Sequence, residues 1–333
     1  MLYSKDTSYD NNKDNCWRLQ QAYSSQMNQN VTWAKGPSNL TFVACSGAHY
    51  SDIAADPRSS QLSKAGHPSF ITLTVGGNNI GFYNIVVNCL YQPERYGDYG
   101  NPYDNDPDQS GNCIVAMQAA MSQYDNWETW MRGTMQDVML KNPPNPTFDL
   151  FLTGYVHFFN TNENAQCNSW SFGVWLPGIP GNRRPLLSYP LRRDLNDLVQ
   201  KVNEQYSAAV DNLNKAAILK GSRAHFVDIS PAFDTHRFCE DGYSYRDQYY
   251  NGDMWIWNLS PNIPTGQVAD YPTVESVFST GFVDTIMASG IFNDTIGGVG
   301  MRPFHPKTVG HQAIQNEILA VMKAVKLAGT IWE

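Results

Sequence analysis

The sequence predicts an α/β domain of three layers, a parallel β-sheet with helices on both faces. Three observations lead there. Short aromatic and β-branched runs recur at 70–75 ("FITLTV"), 148–155 ("FDLFLTGY") and 224–230 ("AHFVDIS"), and their near-continuous apolar character is that of strands buried on both faces. Longer segments with apolar residues three and four apart alternate with these runs, as crossover helices do between parallel strands. No internal repeat or low-complexity linker divides the chain, so residues 1–333 read as one domain.

In chain order, Trp17 to Met27 has helical spacing, and "NLTFVACSG" (39–47) reads as a strand entering a Ser-Gly turn. Phe70 to Val75 is the next strand, followed by a short helix from Phe82 to Leu90. Cys113 to Lys141 reads as one helix, ended by Pro143-Pro144. After the strand at 148–155, Leu191, Leu195, Leu198, Val202, Tyr206, Ala209 and Leu213 mark an amphipathic helix closed by Gly221. The strand at 224–230 leads to long aromatic loops over about 240–300, and a last helix runs from about Thr308 to Lys326.

Composition excludes several classes. With 31 acidic and 23 basic side chains the formal charge is -8, and no Lys/Arg run exceeds a pair, which argues against a nucleic-acid partner. No apolar stretch approaches the roughly 18 residues of a membrane span. Six cysteines without a C-x-x-C pair point to three disulfides in an oxidising compartment rather than a metal site. Asn30, Asn39 and Asn293 stand in glycosylation sequons, and Asn258 in a weaker one that Pro261 follows. All of this suits a secreted protein. The opening "MLYSKDTSYDNNKDN" carries no apolar leader, so a signal peptide is expected upstream of Met1.

No G-x-S-x-G elbow, G-x-G-x-x-G, Walker loop or H-E-x-x-H is present. Instead, "ACSGA" (44–48) ends one strand, "TVGGNN" (74–79) ends the next, and "FHPKTVGH" (304–311) opens the last helix. Taken singly, the first two are ordinary turns and His305 is a structural histidine. As an ordered set, with "NCWRLQQAY", "TGYVHFFN" and "HRFCEDG" (236–242), they resemble the secreted branch of the SGNH (GDSL-like) esterases and lipases known from fungi and actinobacteria. The resemblance covers most of the chain.

That resemblance implies a flavodoxin-like SGNH-hydrolase fold and a Ser-His ester hydrolase. The Gly47 backbone N–H and the Asn78 carboxamide would stabilise the oxyanion, and His305 would act as the base. It also implies disulfides Cys16–Cys45, Cys89–Cys113 and Cys167–Cys239, no cofactor, a monomer, and a small-molecule, lipid or carbohydrate ester as substrate. Three positions depart from the family. Asn79 stands where many members have Asp, and Arg302 stands where an Asp often orients the base, with Asp284 and Asp294 as substitutes. The Gly-Asp-Ser segment is missing, and Ser4, Ser8 and Ser46 lack its setting. The first strand and its serine are therefore expected upstream of Met1. The alternative is a binding protein on the same fold, gripping carbohydrate or lipid with Tyr243, Tyr245, Tyr249, Tyr250, Trp255 and Trp257, although these aromatics also suit plain loop packing.

Overall fold

A computed structural model describes residues 9–10, 16, 18–54, 60–91, 112–141, 148–163, 165–172, 186–217, 221–258 and 304–333. Its sheet holds β1 (Phe70–Leu73), β2 (Asp149–Thr153) and β3 (Arg223–Val227), all parallel, in the order β1-β2-β3. Leu73 lies beside Leu152, and Thr153 beside Val227. In β2, Leu150, Phe151 and Leu152 are fully buried, as expected of a central strand covered on both faces.

Parallel neighbours need a crossover, and helices supply each one. Between β1 and β2 run α4 (Gly77–Ile80), α5 (Phe82–Val86), α6 (Asn112–Met121) and α7 (Tyr124–Lys141), and α8 (Tyr189–Ala216) links β2 to β3. One layer is made by α7 and α8 with α2 (Tyr50–Ala54), which follows the 45–48 turn and precedes the short α3 (Gln61–Lys64). The other layer pairs α1 (Tyr23–Gln29) with α10 (Thr308–Ala324); between β3 and α10 lies the single turn α9 (Asp247–Tyr250). The inward side of α8 carries the predicted apolar row from Leu191 to Leu213.

Several elements differ from the sequence reading. The 113–141 helix is two helices, because the chain turns at Ser122-Gln123, where the Ser122 hydroxyl bonds the Ala119 carbonyl instead of leaving it to the helix. The helix expected from Trp17 begins at Tyr23, since Leu19 to Ala22 is spent in a turn. Ala217, in the left-handed region at φ 49°, ends α8 before Gly221 is reached. The segment 39–45 forms no strand. Its Leu40 to Val43 backbone makes no hydrogen bond among the described residues, and β1 is the edge of the described sheet.

The disulfides join Cys16 to Cys45, Cys89 to Cys113 and Cys167 to Cys239. The third staples the loops beyond β2 and β3, which Phe159 and Phe238 also join through a parallel bridge. Part of the described aromatic region packs inward, while Tyr245 stays exposed. Tyr249 is 2 % exposed against Phe172, and Trp255 stacks on His236 at 3.5 Å and meets Phe233 edge-on. Of the sequon asparagines, Asn258 is 5 % exposed, and Asn30 and Asn39 are exposed. Asn293 lies outside the described residues. No helix among them is long and apolar enough to cross a membrane.

Candidate functional site

All three strands point their carboxyl ends to one edge, the usual ligand side of a parallel sheet. There β1 runs through Thr74 and Val75 into Gly76, whose φ of 112° is open only to glycine. A Cβ at this position would overlap the Tyr206 and Tyr50 hydroxyls. The Gly77 N–H donates to the Tyr155 hydroxyl at 2.8 Å. Beyond that point the two asparagines divide their work. Asn78 is exposed and donates one Nδ2 proton to the Ala48 carbonyl at 3.0 Å, leaving the second for a ligand. Asn79 accepts from the Tyr50 N–H at 3.0 Å, a role that needs only a side-chain oxygen, so the carboxamide fills it as an Asp would.

The 45–48 turn faces that asparagine pair. It is closed by Ala48 N–H to the Cys45 carbonyl (3.2 Å) and tied to the Cys16 carbonyl through the Ser46 N–H (3.1 Å). Gly47 takes φ 77°, and its N–H has no partner among the described residues. Ser46 is exposed in the same turn; Ser4 and Ser8 lie outside the described residues.

His305 arrives on a short antiparallel ladder. Phe304 N–H donates to Trp257 (2.8 Å), Trp257 N–H to the His305 carbonyl (2.9 Å), and Lys307 N–H to Trp255 (2.7 Å). Phe304, at φ 63°, is anchored among Phe82, Phe158, Phe159 and Phe238, so the exposed His305 ring is carried by a buried neighbour. Arg302, Asp284 and Asp294 lie outside the described residues.

Sequence reasoning missed two titratable neighbours. Lys307 is buried, donating to the Asn251 carbonyl at 2.9 Å near the Trp257 ring, and burial lowers its ammonium to about 7 despite Asp253 nearby. The His311 Nδ1 is shut from solvent and has no partner among the described residues. Burial, with His305 adding to it, holds that ring down at about 4, so His311 stays neutral beside the proposed base. The "HPKTVGH" spacing signals both only after the His305 segment is known to turn inward. Among the described residues no cluster of three or more His, Cys, Asp or Glu could hold a metal ion.

Gly47, Asn78 and His305 all line one cleft of about 1660 Å³. It runs on between Leu40 to Val43 and β1, with Met27 and Ile314 from one helical layer and Val138, Val199 and Val202 from the other. Two N–H donors and an imidazole on one cleft can in principle hold an oxyanion and move a proton.

The fold has a solved counterpart. The chain superimposes on phospholipase A1 from Streptomyces albidoflavus NA297 with a TM-score of 0.54 and 19% identity, over 96% of this chain and 92% of that one. An extracellular lipase from Streptomyces rimosus follows with a TM-score of 0.48 and 17% identity, over 85% of this chain and 93% of that one. No protein-family model and no curated protein matches the sequence. At such identities the likeness establishes the α/β fold with its parallel sheet, and the chemistry must be argued from the residues.

Proposed function

We propose that the protein is a secreted ester hydrolase of the SGNH type, in which His305 deprotonates a serine that attacks the ester carbonyl. Gly47 N–H and the free Asn78 Nδ2 proton hold the tetrahedral oxyanion, a contribution of about 2.7–4 kcal/mol for one such donor. His305 then protonates the leaving alcohol, and water, activated by the same ring, releases the acid from the serine. A neutral His311 leaves the proton on His305 between these steps.

One observation carries the reading: Gly47, Asn78 and His305, far apart in sequence, line a single cleft at the carboxyl edge of the sheet. The fold shared with a phospholipase A1 agrees with it. So do the three disulfides, as expected of an extracellular protein. The alternative, sugar or lipid gripped by an aromatic surface, loses Tyr249 to the core and Trp255 to its stack on His236.

The serine is proposed to stand on a strand that seats between 40–45 and β1, running parallel to β1. The cleft there is apolar toward both helical layers, and its walls offer the backbone of Leu40 to Val43, which makes no hydrogen bond among the described residues, and the outer edge of β1 in the described sheet. Those are the needs of a strand buried on both faces. The test is to fuse about five or six apolar residues ending in Gly-Asp-Ser to the amino end of residues 1–333 and assay a p-nitrophenyl ester. Hydrolysis that requires the serine and His305 supports the reading; a soluble, cooperatively folded fusion without hydrolysis rejects it.

A further inference from the structure

We infer that Tyr206 is a positioning residue for the Asn78 carboxamide, holding the turn after β1 from behind so that the donor stands ready. The inference rests on Asn78 as an oxyanion donor, the reading proposed above.

Tyr206 projects from the middle of α8 and is fully buried. Its hydroxyl donates to the Val75 carbonyl at 3.1 Å and lies 2.7 Å from the Tyr50 hydroxyl. A phenol has one proton. With that proton on Val75, the Tyr50 hydroxyl must donate to Tyr206, so the pair has one direction. The Tyr206 oxygen also takes the space that a side chain at residue 76 would need, which couples the glycine to the tyrosine.

The same few residues are held from three further points. Tyr155 accepts from Gly77 N–H, Asn79 accepts from Tyr50 N–H, and Asn78 donates to Ala48. Tyr50 therefore meets the turn through its backbone and, by way of Tyr206, through its hydroxyl. A network of this kind, buried and with its proton directions set, resists small displacements, and an oxyanion donor loses effect when displaced by a fraction of an ångström. Burial raises the Tyr50 hydroxyl to about 12 and moves Tyr155 and Tyr206 upward as well, so all three remain neutral phenols at working pH.

The experiment reads Asn78 directly in residues 1–333, without relying on activity. The Asn78 side-chain amide protons are followed by NMR in the parent and in Tyr206→Phe, which removes one oxygen and keeps the ring. The Asn214 amide, which bonds the Ala224 carbonyl at 2.8 Å far from the site, is the internal control. The expected result is a shifted Asn78 pair exchanging about tenfold faster, the factor for one hydrogen bond of typical net strength, with Asn214 unchanged. If Tyr206→Phe does not fold, Tyr50→Phe removes the proton donated to Tyr206 and is read in the same way. An unaltered Asn78 pair overturns the inference whether or not the protein hydrolyses esters. An altered pair, in a protein whose serine-bearing fusion hydrolyses none, leaves the positioning role standing and rejects the proposed function alone.

Discussion

The Asn78 Nδ2 donates to the Ala48 carbonyl across 3.0 Å, joining the turn after β1 to the turn that presents the Gly47 N–H. The two proposed oxyanion donors are therefore set against each other by one bond, and Asn78 keeps its second proton free for the cleft. Substitution of Asn78 should act on the reaction more than on binding.

In the serine-bearing fusion, Asn78→Ala should lower kcat about 10²–10³-fold with little change in KM, since the donor acts on charge that develops in the transition state. Steady-state kinetics on a p-nitrophenyl ester decide it. A rise in KM at constant kcat would make Asn78 a substrate-binding group only.

His305→Ala in the same fusion should reduce kcat by orders of magnitude while the melting temperature stays close to the parent's, because the ring is exposed and its neighbour Phe304 provides the anchor. Activity within threefold of the parent would remove His305 from the mechanism.

Gly76→Ala should destabilise the fold by about 3 kcal/mol or more, through the unfavourable φ and the overlap with two buried hydroxyls. Adding Tyr206→Phe should return part of that loss by clearing one of them. Urea denaturation of the single and double variants measures both, and a neutral Gly76→Ala would show that the turn can relax.

Lys307 sets a pH dependence of stability. Its ammonium is lowered from an ordinary 10.5 to about 7 by burial. Between these values the unfolded chain binds more protons, so stability rises with pH over this window, by up to about 1.4 kcal/mol per pH unit, and is lost as pH falls toward 7. Lys307→Met should flatten that rise and be more stable than the parent near neutral pH, less the bond to the Asn251 carbonyl. Denaturation midpoints from pH 7 to 10 test it, and parallel slopes for parent and variant would refute the assignment.

By itself the sequence determined the layer plan and most of the turn chemistry. Runs such as "FDLFLTGY" can be satisfied only between two helical layers, and the row from Leu191 to Leu213 only against a core. The glycines at 47 and 76 marked turns, and both take left-handed backbone there. Local pattern suffices there because period and composition are properties of a few neighbouring residues. Tertiary structure alone decided what depends on distant partners. "LTFV" has strand composition but no neighbouring strand among the described residues, and a strand exists only through its ladder. The residue that fills the space beside Gly76 lies 130 positions away in α8, and its oxygen was invisible to periodicity, which read Tyr206 simply as core. Pattern left the loop aromatics open between packing and binding until Phe172 covered Tyr249 and His236 covered Trp255, and Lys307 became a low-pKa group only when Asn251 and Trp257 closed around it. Spacing tells which side of an element turns inward; what it meets there is set by the packing of the whole chain.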